Sequence, residues 1–365
     1  MNHDQTSAKS ADLTTLRARP HLGKKIGKWF GLLTLAFVVI VAIVAGVLYS
    51  TALSSEKPVG FQVVRAVDAE GKPFALGIWY PTTAQPTSKW AGSFFMQVAS
   101  NGPIAGHDLP LVVISHGTGG SITSHADLAL ALASAGNVVA TPMHLDNFQD
   151  MSSVGTPAYI TGRTQQLRAT IDHMLAKWEG HQQIDSDRIG AYGFSIGGFT
   201  VLTAAGAQPD LASVAKYCTN NREFACDMLR ESKSFLLNAE LPVGTDKFEA
   251  DTRIKAIVIA APGLGFSFKA ANAFDNIHMP VQLWQGDKDL SVPYDSNAKV
   301  IQDGLGHKVD FQTIANAGHN SFLVPCGPLK LAPICSDPEQ FDRATAHHDM
   351  NKKINDFFAK NLKKK

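Results

Sequence analysis

Cysteine is scarce in this chain, charge is nearly balanced, and no internal repeat is visible. With only 4 Cys in 365 residues, a small fold stapled mainly by disulfides is excluded. The spacings from Cys218 to Cys226 and from Cys326 to Cys335 do not resemble the close pairs of a zinc site. A formal net charge of +1, with Lys and Arg scattered except near Lys24 and at the last few residues, gives no broad basic face, so nucleic acid is not an expected partner. A G-x-G-x-x-G run is missing, which argues against a dinucleotide-binding fold. What remains is 45% hydrophobic and 18% charged residues with 30 Gly and 18 Pro, a globular composition carrying one very apolar segment. One large α/β core with an N-terminal appendage accounts for the length.

The apolar segment runs from Trp29 to Tyr49 without a charge, and as a helix it reaches about 30 Å, the hydrocarbon thickness of a bilayer. Arg17, Arg19, Lys24, Lys25 and Lys28 precede it and no charge follows before Glu56. That asymmetry predicts a cytoplasmic basic tail over 1–28, a transmembrane anchor over 29–49, and everything after Thr51 on the periplasmic or extracellular side. The alternative is a cleaved signal peptide and a secreted product, against which stand the long preceding region and the missing A-x-A site. All four cysteines fall on the exported side, where oxidation is permitted. Short loops favour Cys218 with Cys226 and Cys326 with Cys335, the alternative being free thiols.

Residues 50–59 read as a linker and 60–365 as the globular domain. The runs Phe61 to Val67 and Phe74 to Tyr80, separated by Glu70-Gly71-Lys72-Pro73, predict an opening hairpin. Short apolar runs follow at Leu111 to Ile114, Asn137 to Ala140, Arg188 to Tyr192, Ala256 to Ile259 and Val281 to Trp284, the pattern of strands buried on both faces. Leu167, Ile171, Met174, Leu175 and Trp178 share one face of a helix. Alternating strands and helices predict a mostly parallel sheet with helices on both faces, with function in the loops beyond the strands' carboxyl ends. The mixed segment 209–251 is longer than a compact connection needs, and reads either as a lid or as a helical excursion on the rim.

After the strand ending at Tyr192 comes Gly193-Phe194-Ser195-Ile196-Gly197-Gly198, then a helix-compatible run. This is G-x-S-x-G between a strand and a helix, where Gly193 and Gly197 leave room for a strained turn that presents the serine hydroxyl. A serine needs a base oriented by a carboxylate. His319, on a Gly-His loop after the strand-like run Val309 to Ile314, is the candidate base; His347 and His348 read as solvated residues of a charged C-terminal helix. For the acid, Asp289 in Asp289-Leu290-Ser291-Val292-Pro293 is preferred over Asp287, which follows its strand too closely. The order Ser, Asp, His suits an α/β-hydrolase. The backbone N–H of Ile196 and that of Thr118, in His116-Gly117-Thr118-Gly119-Gly120, are the candidate oxyanion donors. His144, in a loop near the expected site, is a candidate substrate contact. This chemistry calls for no metal or cofactor.

With these residues in place, the chain from about Gly60 to Leu362 resembles the dienelactone-hydrolase-like and platelet-activating-factor-acetylhydrolase-like branch of the α/β-hydrolases. The likeness rests on Gly77-Ile78-Trp79-Tyr80-Pro81, His116-Gly117, Ile184 to Gly190 leading into the Ser195 turn, and Ala317-Gly318-His319-Asn320-Ser321-Phe322. It differs from dienelactone hydrolases in carrying Ser195 where they use cysteine. It differs from the acetylhydrolases in reading Ala260-Ala261-Pro262-Gly263 where they place the acid, which favours Asp289. The resemblance implies a serine hydrolase acting on small or lipid-like carboxylic esters. Amidases, peptidases and acyltransferases use the same triad, and a membrane-tethered, inactive binding module is the reading from outside enzymology.

Overall fold

The computed structural model describes residues 20–92, 94–238, 248–327 and 333–364, with backbone only for 20–26. The basic positions Arg17 and Arg19 lie outside the described residues. The chain forms two compact units, one ending at Ser50 and the other beginning at Thr51.

The first unit contains helix α1 (Pro20–Ser50). Its stretch Gly27–Ser50, 24 residues whose most apolar 18-residue window has a mean hydropathy of 2.9, is long and apolar enough to cross a membrane. Trp29, Phe30, Leu33 and Phe37 are exposed along it.

The second unit opens with β1 (Val59–Val67) and β2 (Pro73–Pro81), then β3 (Thr87–Trp90), β4 (Phe95–Ser100) and β5 (Leu109–Ser115). Next come α2 (Ala126–Ser134), β6 (Val138–Pro142), α3 (Arg163–Ala176), β7 (Ile184–Phe194) and α4 (Ile196–Ala205). Helices α5 (Ala212–Asn220) and α6 (Phe224–Glu231) precede β8 (Ile254–Ala260), β9 (Val281–Gly286), α7 (Ala298–Leu305), β10 (Val309–Ile314) and α8 (Arg343–Asn361). The strands make a 10-stranded sheet ordered β10-β9-β8-β7-β5-β6-β2-β1-β4-β3.

Pairing is parallel from β10 through β6 and antiparallel where β2 joins β6 and β1 joins β2. The parallel strands are apolar on both faces because helices cover both: Val112, Ile114, Tyr192 and Val258 pack toward α2 and α8, and Leu111, Val113, Ala191 and Ile257 toward α3 and α4. The opening hairpin turns at Asp68, whose carboxylate accepts from the backbone N–H groups of Glu70 and Lys72, a local bond that fixes the turn. Leu167, Ile171 and Met174 of α3 are fully buried, as their spacing predicts.

One boundary differs from expectation. Residues 50–59 are not a free linker, because Leu53 donates its N–H to Phe95 O and accepts from Gln97 N. It forms a bridge beside β4. Strand β4 supplies this pairing, and its six residues carry little periodic signal in the sequence.

In the 209–251 segment, α5 and α6 are helical and Cys218 is bonded to Cys226; 239–247 lie outside the described residues. Cys326 is bonded to Cys335. Both pairs are those that short loops favour.

Candidate active site

Ser195 sits at the turn between β7 and α4 with φ 57° and ψ −123°, a conformation costing about 1–3 kcal/mol and sustained only by its surroundings. Those surroundings are backbone. Ser195 N donates to Ala260 O at 3.0 Å, and Gly263 N donates to Ser195 O at 2.9 Å. The flanking glycines are compulsory on steric grounds: a Cβ at Gly193 would lie 2.1 Å from Gly197 O, and one at Gly197 would lie 2.1 Å from Ser115 O.

The loops after β9 and β10 bring the other two side chains to this turn. His319 Nε2 lies 3.0 Å from Ser195 Oγ, and His319 Nδ1 lies 2.7 Å from Asp289 Oδ2. Asp289 can only accept, so Nδ1 carries the proton and Nε2 is left free to accept from the serine. The second oxygen, Asp289 Oδ1, accepts from Ser291 N at 3.0 Å and Val292 N at 2.8 Å, and the side chain is fully shielded. Asp287 has another task, accepting from Asn316 N at 2.6 Å and so tying the β9 loop to the β10 loop. The His319 ring packs on Phe194, centroids 4.8 Å apart.

The glycine-rich loop after β5 reaches the same place. A Cβ added to Gly117 would stand 3.0 Å from the Phe194 ring and 3.2 Å from Ser195 Cβ, so glycine eases the close passage of the loop backbone. Among the described residues, the backbone N–H groups of Thr118 and Ile196 donate to no protein acceptor. A Cβ at Gly263 would come within 3.3 Å of Ile196 N, and glycine keeps that side of the amide uncrowded.

His144 is not in position to touch a substrate. It is fully buried, with Nε2 at 2.9 Å from Ser115 Oγ and Nδ1 at 2.9 Å from Gln166 Oε1. Both nitrogens are satisfied behind the loop: Nδ1–H donates to the glutamine and Nε2 accepts from the hydroxyl. His116 beside it donates Nδ1–H to Gly117 O at 2.7 Å and accepts from His144 N at 3.1 Å through Nε2. Burial, followed by the nearby Arg163 cation, pushes both imidazoles well below their ordinary range.

His347 also differs from expectation, being buried rather than solvated. Its Nδ1 faces Asp127 Oδ2 at 2.7 Å and its Nε2 faces Ser321 O at 2.8 Å. Two acceptors require a donor on each nitrogen, so the geometry suits an imidazolium paired with a carboxylate. Ser321 belongs to the same short helical turn as His319. Helix α8 thereby holds the turn that carries the candidate base.

Arg163 and Asp146 form a pair that periodicity did not single out. Arg163 is 1% exposed and bonds Asp146 Oδ1, the backbone oxygen of His116 and Thr200 Oγ1. Burial raises the Asp146 carboxyl above its ordinary value and the Arg163 cation opposes that rise. The sequence does hold one signal: Arg163 stands four residues before Leu167 and eight before Ile171, a charge on the apolar face of α3.

Comparison with known proteins bears on the fold. The ferulic acid esterase from Streptomyces cinnamoneus superposes with a TM-score of 0.57 at 19% identity, covering 84% of this chain and 91% of that one. The fold is that of the α/β-hydrolases. A puromycin-hydrolysing peptidase from Mycobacterium tuberculosis gives a TM-score of 0.50 at 14% identity over 84% of this chain and 40% of its own. Dienelactone hydrolase from Anabaena variabilis gives 0.47 at 15% identity over 83% and 98%. The sequence pattern of the family platelet-activating factor acetylhydrolase, isoform II, matches residues 82–170, a stretch that includes the His116–Gly120 loop and Arg163 but none of Ser195, Asp289 and His319. No functionally curated protein sequence matches the chain.

Proposed function

We propose that this protein is a serine hydrolase that cleaves carboxylic esters, anchored to a membrane through α1 with the 51–365 unit on the outer face. The hydrogen-bonded series Asp289, His319, Ser195 at 2.7 and 3.0 Å, on a strained turn beside two unused amides, carries the reading.

In this mechanism His319 Nε2 takes the Ser195 proton as Oγ attacks the acyl carbon. Asp289 keeps Nδ1 protonated and stabilises the imidazolium. The amides of Thr118 and Ile196 receive the oxyanion, where charge that forms only in the transition state is met by fixed dipoles. His319 then protonates the leaving alcohol, and water attacks the acyl-enzyme by the reverse proton path. The two disulfides support an oxidising compartment for this unit, in keeping with the charge asymmetry around α1.

The test is turnover of p-nitrophenyl esters of increasing acyl length by the full chain in detergent, beside the matching anilides. Ester turnover that falls about 10⁴-fold or more in Ser195→Ala is expected. An intact protein that turns over no ester, or a variant that keeps its activity, would overturn the proposal, and preferential anilide cleavage would make the protein an amidase.

A further inference from the structure

We propose that Arg163, with Asp146, is the positioning residue of the oxyanion site, fixing the distance between its two amide donors. This rests on the serine-hydrolase reading above and goes beyond it by naming what sets the donors in place.

The two amides come from segments far apart in sequence. Thr118 lies in the loop after β5 and Ile196 begins α4; the two strands pair only as far as Ser115 and Gly193, three residues short of each donor. Arg163 bonds both sides. One guanidinium nitrogen donates to His116 O, two residues before Thr118. A second donates to Asp146 Oδ1, and Asp146 O in turn accepts from Gly119 N at 2.9 Å, the residue just after Thr118. The third, Nε, donates to Thr200 Oγ1 at 3.3 Å, and that hydroxyl donates to Ile196 O at 2.9 Å. Residues on either side of Thr118 and the carbonyl of Ile196, one peptide beyond the donor amide, thus connect to one rigid, planar fork. A guanidinium offers such a fork, and an ammonium does not.

A second tie comes from the same short segment. The residues Ala158–Gly162 form a single π-turn running directly into α3, and π-turns of this kind recur at functional sites. The turn carries Tyr159, whose hydroxyl lies 2.7 Å from Thr118 Oγ1. Tyr159 therefore holds the side chain of the residue whose backbone Arg163 brackets. Such preorganisation matters because an oxyanion donor acts only at the distance the transition state sets.

The pair is buried, with Arg163 and Asp146 at 1% and 0% side-chain exposure. Removing one partner strands the other charge and threatens folding, so the deciding variant is the double replacement Arg163→Met/Asp146→Leu, which removes both charges and keeps volume. It is compared with Arg163→Lys in the full chain, and active sites are counted with a fluorophosphonate so that kcat is per active enzyme. The expected result is a kcat lowered about 10²-fold, the size of effect a misplacement near 1 Å produces, with KM changed by less than about 3-fold. Affinity for an alkyl boronic acid, whose adduct on Ser195 is tetrahedral and anionic, falls in step. Arg163→Lys keeps the charge without the fork, and its kcat falls as well.

A folded double variant with wild-type kcat per active site and unchanged boronate affinity overturns the inference while leaving the hydrolase reading intact. Loss of soluble protein with normal kcat in the surviving fraction makes the pair structural only, and overturns it too. Absence of ester turnover in the wild type overturns the underlying reading, and this inference with it.

Discussion

At the residue scale, the two aspartates of the β9 loop separate cleanly by what they touch. Asp289 meets His319 and two backbone amides, whereas Asp287 meets only a neighbouring loop. Asp289→Asn should lower kcat about 10³- to 10⁴-fold, because the amide leaves the imidazole in the wrong tautomer. Asp287→Asn should cost about 1 kcal/mol of stability through one weakened bond and change kcat less than about 10-fold. Steady-state kinetics and thermal melts on the two variants check both numbers, and equal losses of activity would remove Asp289 from its role. That Ser195, Asp289 and His319 meet is foreshadowed by local turn chemistry: glycines around the serine, an Asp three residues before Val-Pro, a Gly-His pair. His144 differs from expectation because its loop does lie beside the glycine-rich loop, while its side chain turns toward Gln166 of α3, a direction no local pattern encodes.

At the scale of elements, α8 supports the turn that bears His319, although it contributes no side chain to the hydrogen-bonded series. His347 bridges Asp127 of α2 and the carbonyl of Ser321, and Asn351 donates to the same carboxylate at 2.7 Å. Burial works against the ionised Asp127, yet His347 and Asn351 hold its carboxyl below the ordinary value. His347→Ala should therefore destabilise the protein by about 3–5 kcal/mol, the loss that follows when a buried charge keeps its place without its partner; chemical denaturation measures it, and a change below about 1 kcal/mol would contradict the ion pair. Sequence alone suggested a solvated helix here. The helix is charged on its outer face, with Lys352, Lys353 and Asp349 exposed, while His347 stands three, seven and eleven residues before the buried Met350, Ile354 and Phe358, on the inward face that helical spacing marks. The central strands and α3 were legible because burial on both faces, or on one helical face, writes itself along the chain as apolar runs and spacing.

At the scale of the whole molecule, two expectations follow. The 51–365 unit is stitched to its first residues: Leu53 pairs with β4, Lys57 N donates to Ser134 Oγ at 2.9 Å, and Thr82 N donates to Pro58 O at 3.3 Å. A fragment beginning at Gly60 should melt several degrees below one beginning at Thr51, because each lost bond is worth about 1 kcal/mol. Calorimetry on the two fragments tests this, and equal melting temperatures would show that the segment is a mere tether. The second concerns acid. His116, His125 and His144 are buried with depressed pKa values, His125 pushed down to about 4 chiefly by burial. The unfolded chain binds protons at these sites from about pH 6.5 downward while the folded one does not, so their neutral packing costs nothing above that pH and stability declines as pH falls toward 4. His125 alone contributes a decline of about 3 kcal/mol over that window. Denaturation midpoints from pH 7 to pH 4.5 should fall steadily, and a flat profile would show these histidines reachable by water.

The backbone of Ser195 is held by residues 260 and 263, and the turn carrying His319 by residue 347. A chain without β8 would lack the bonds that hold the Ser195 turn, and a chain without α8 would lack the bond that steadies the turn carrying His319. On the proposed hydrolase reading, activity would belong to the finished fold: a chain cut before α8 keeps Ser195, Asp289 and His319 but loses the His347 bond that holds the turn carrying His319.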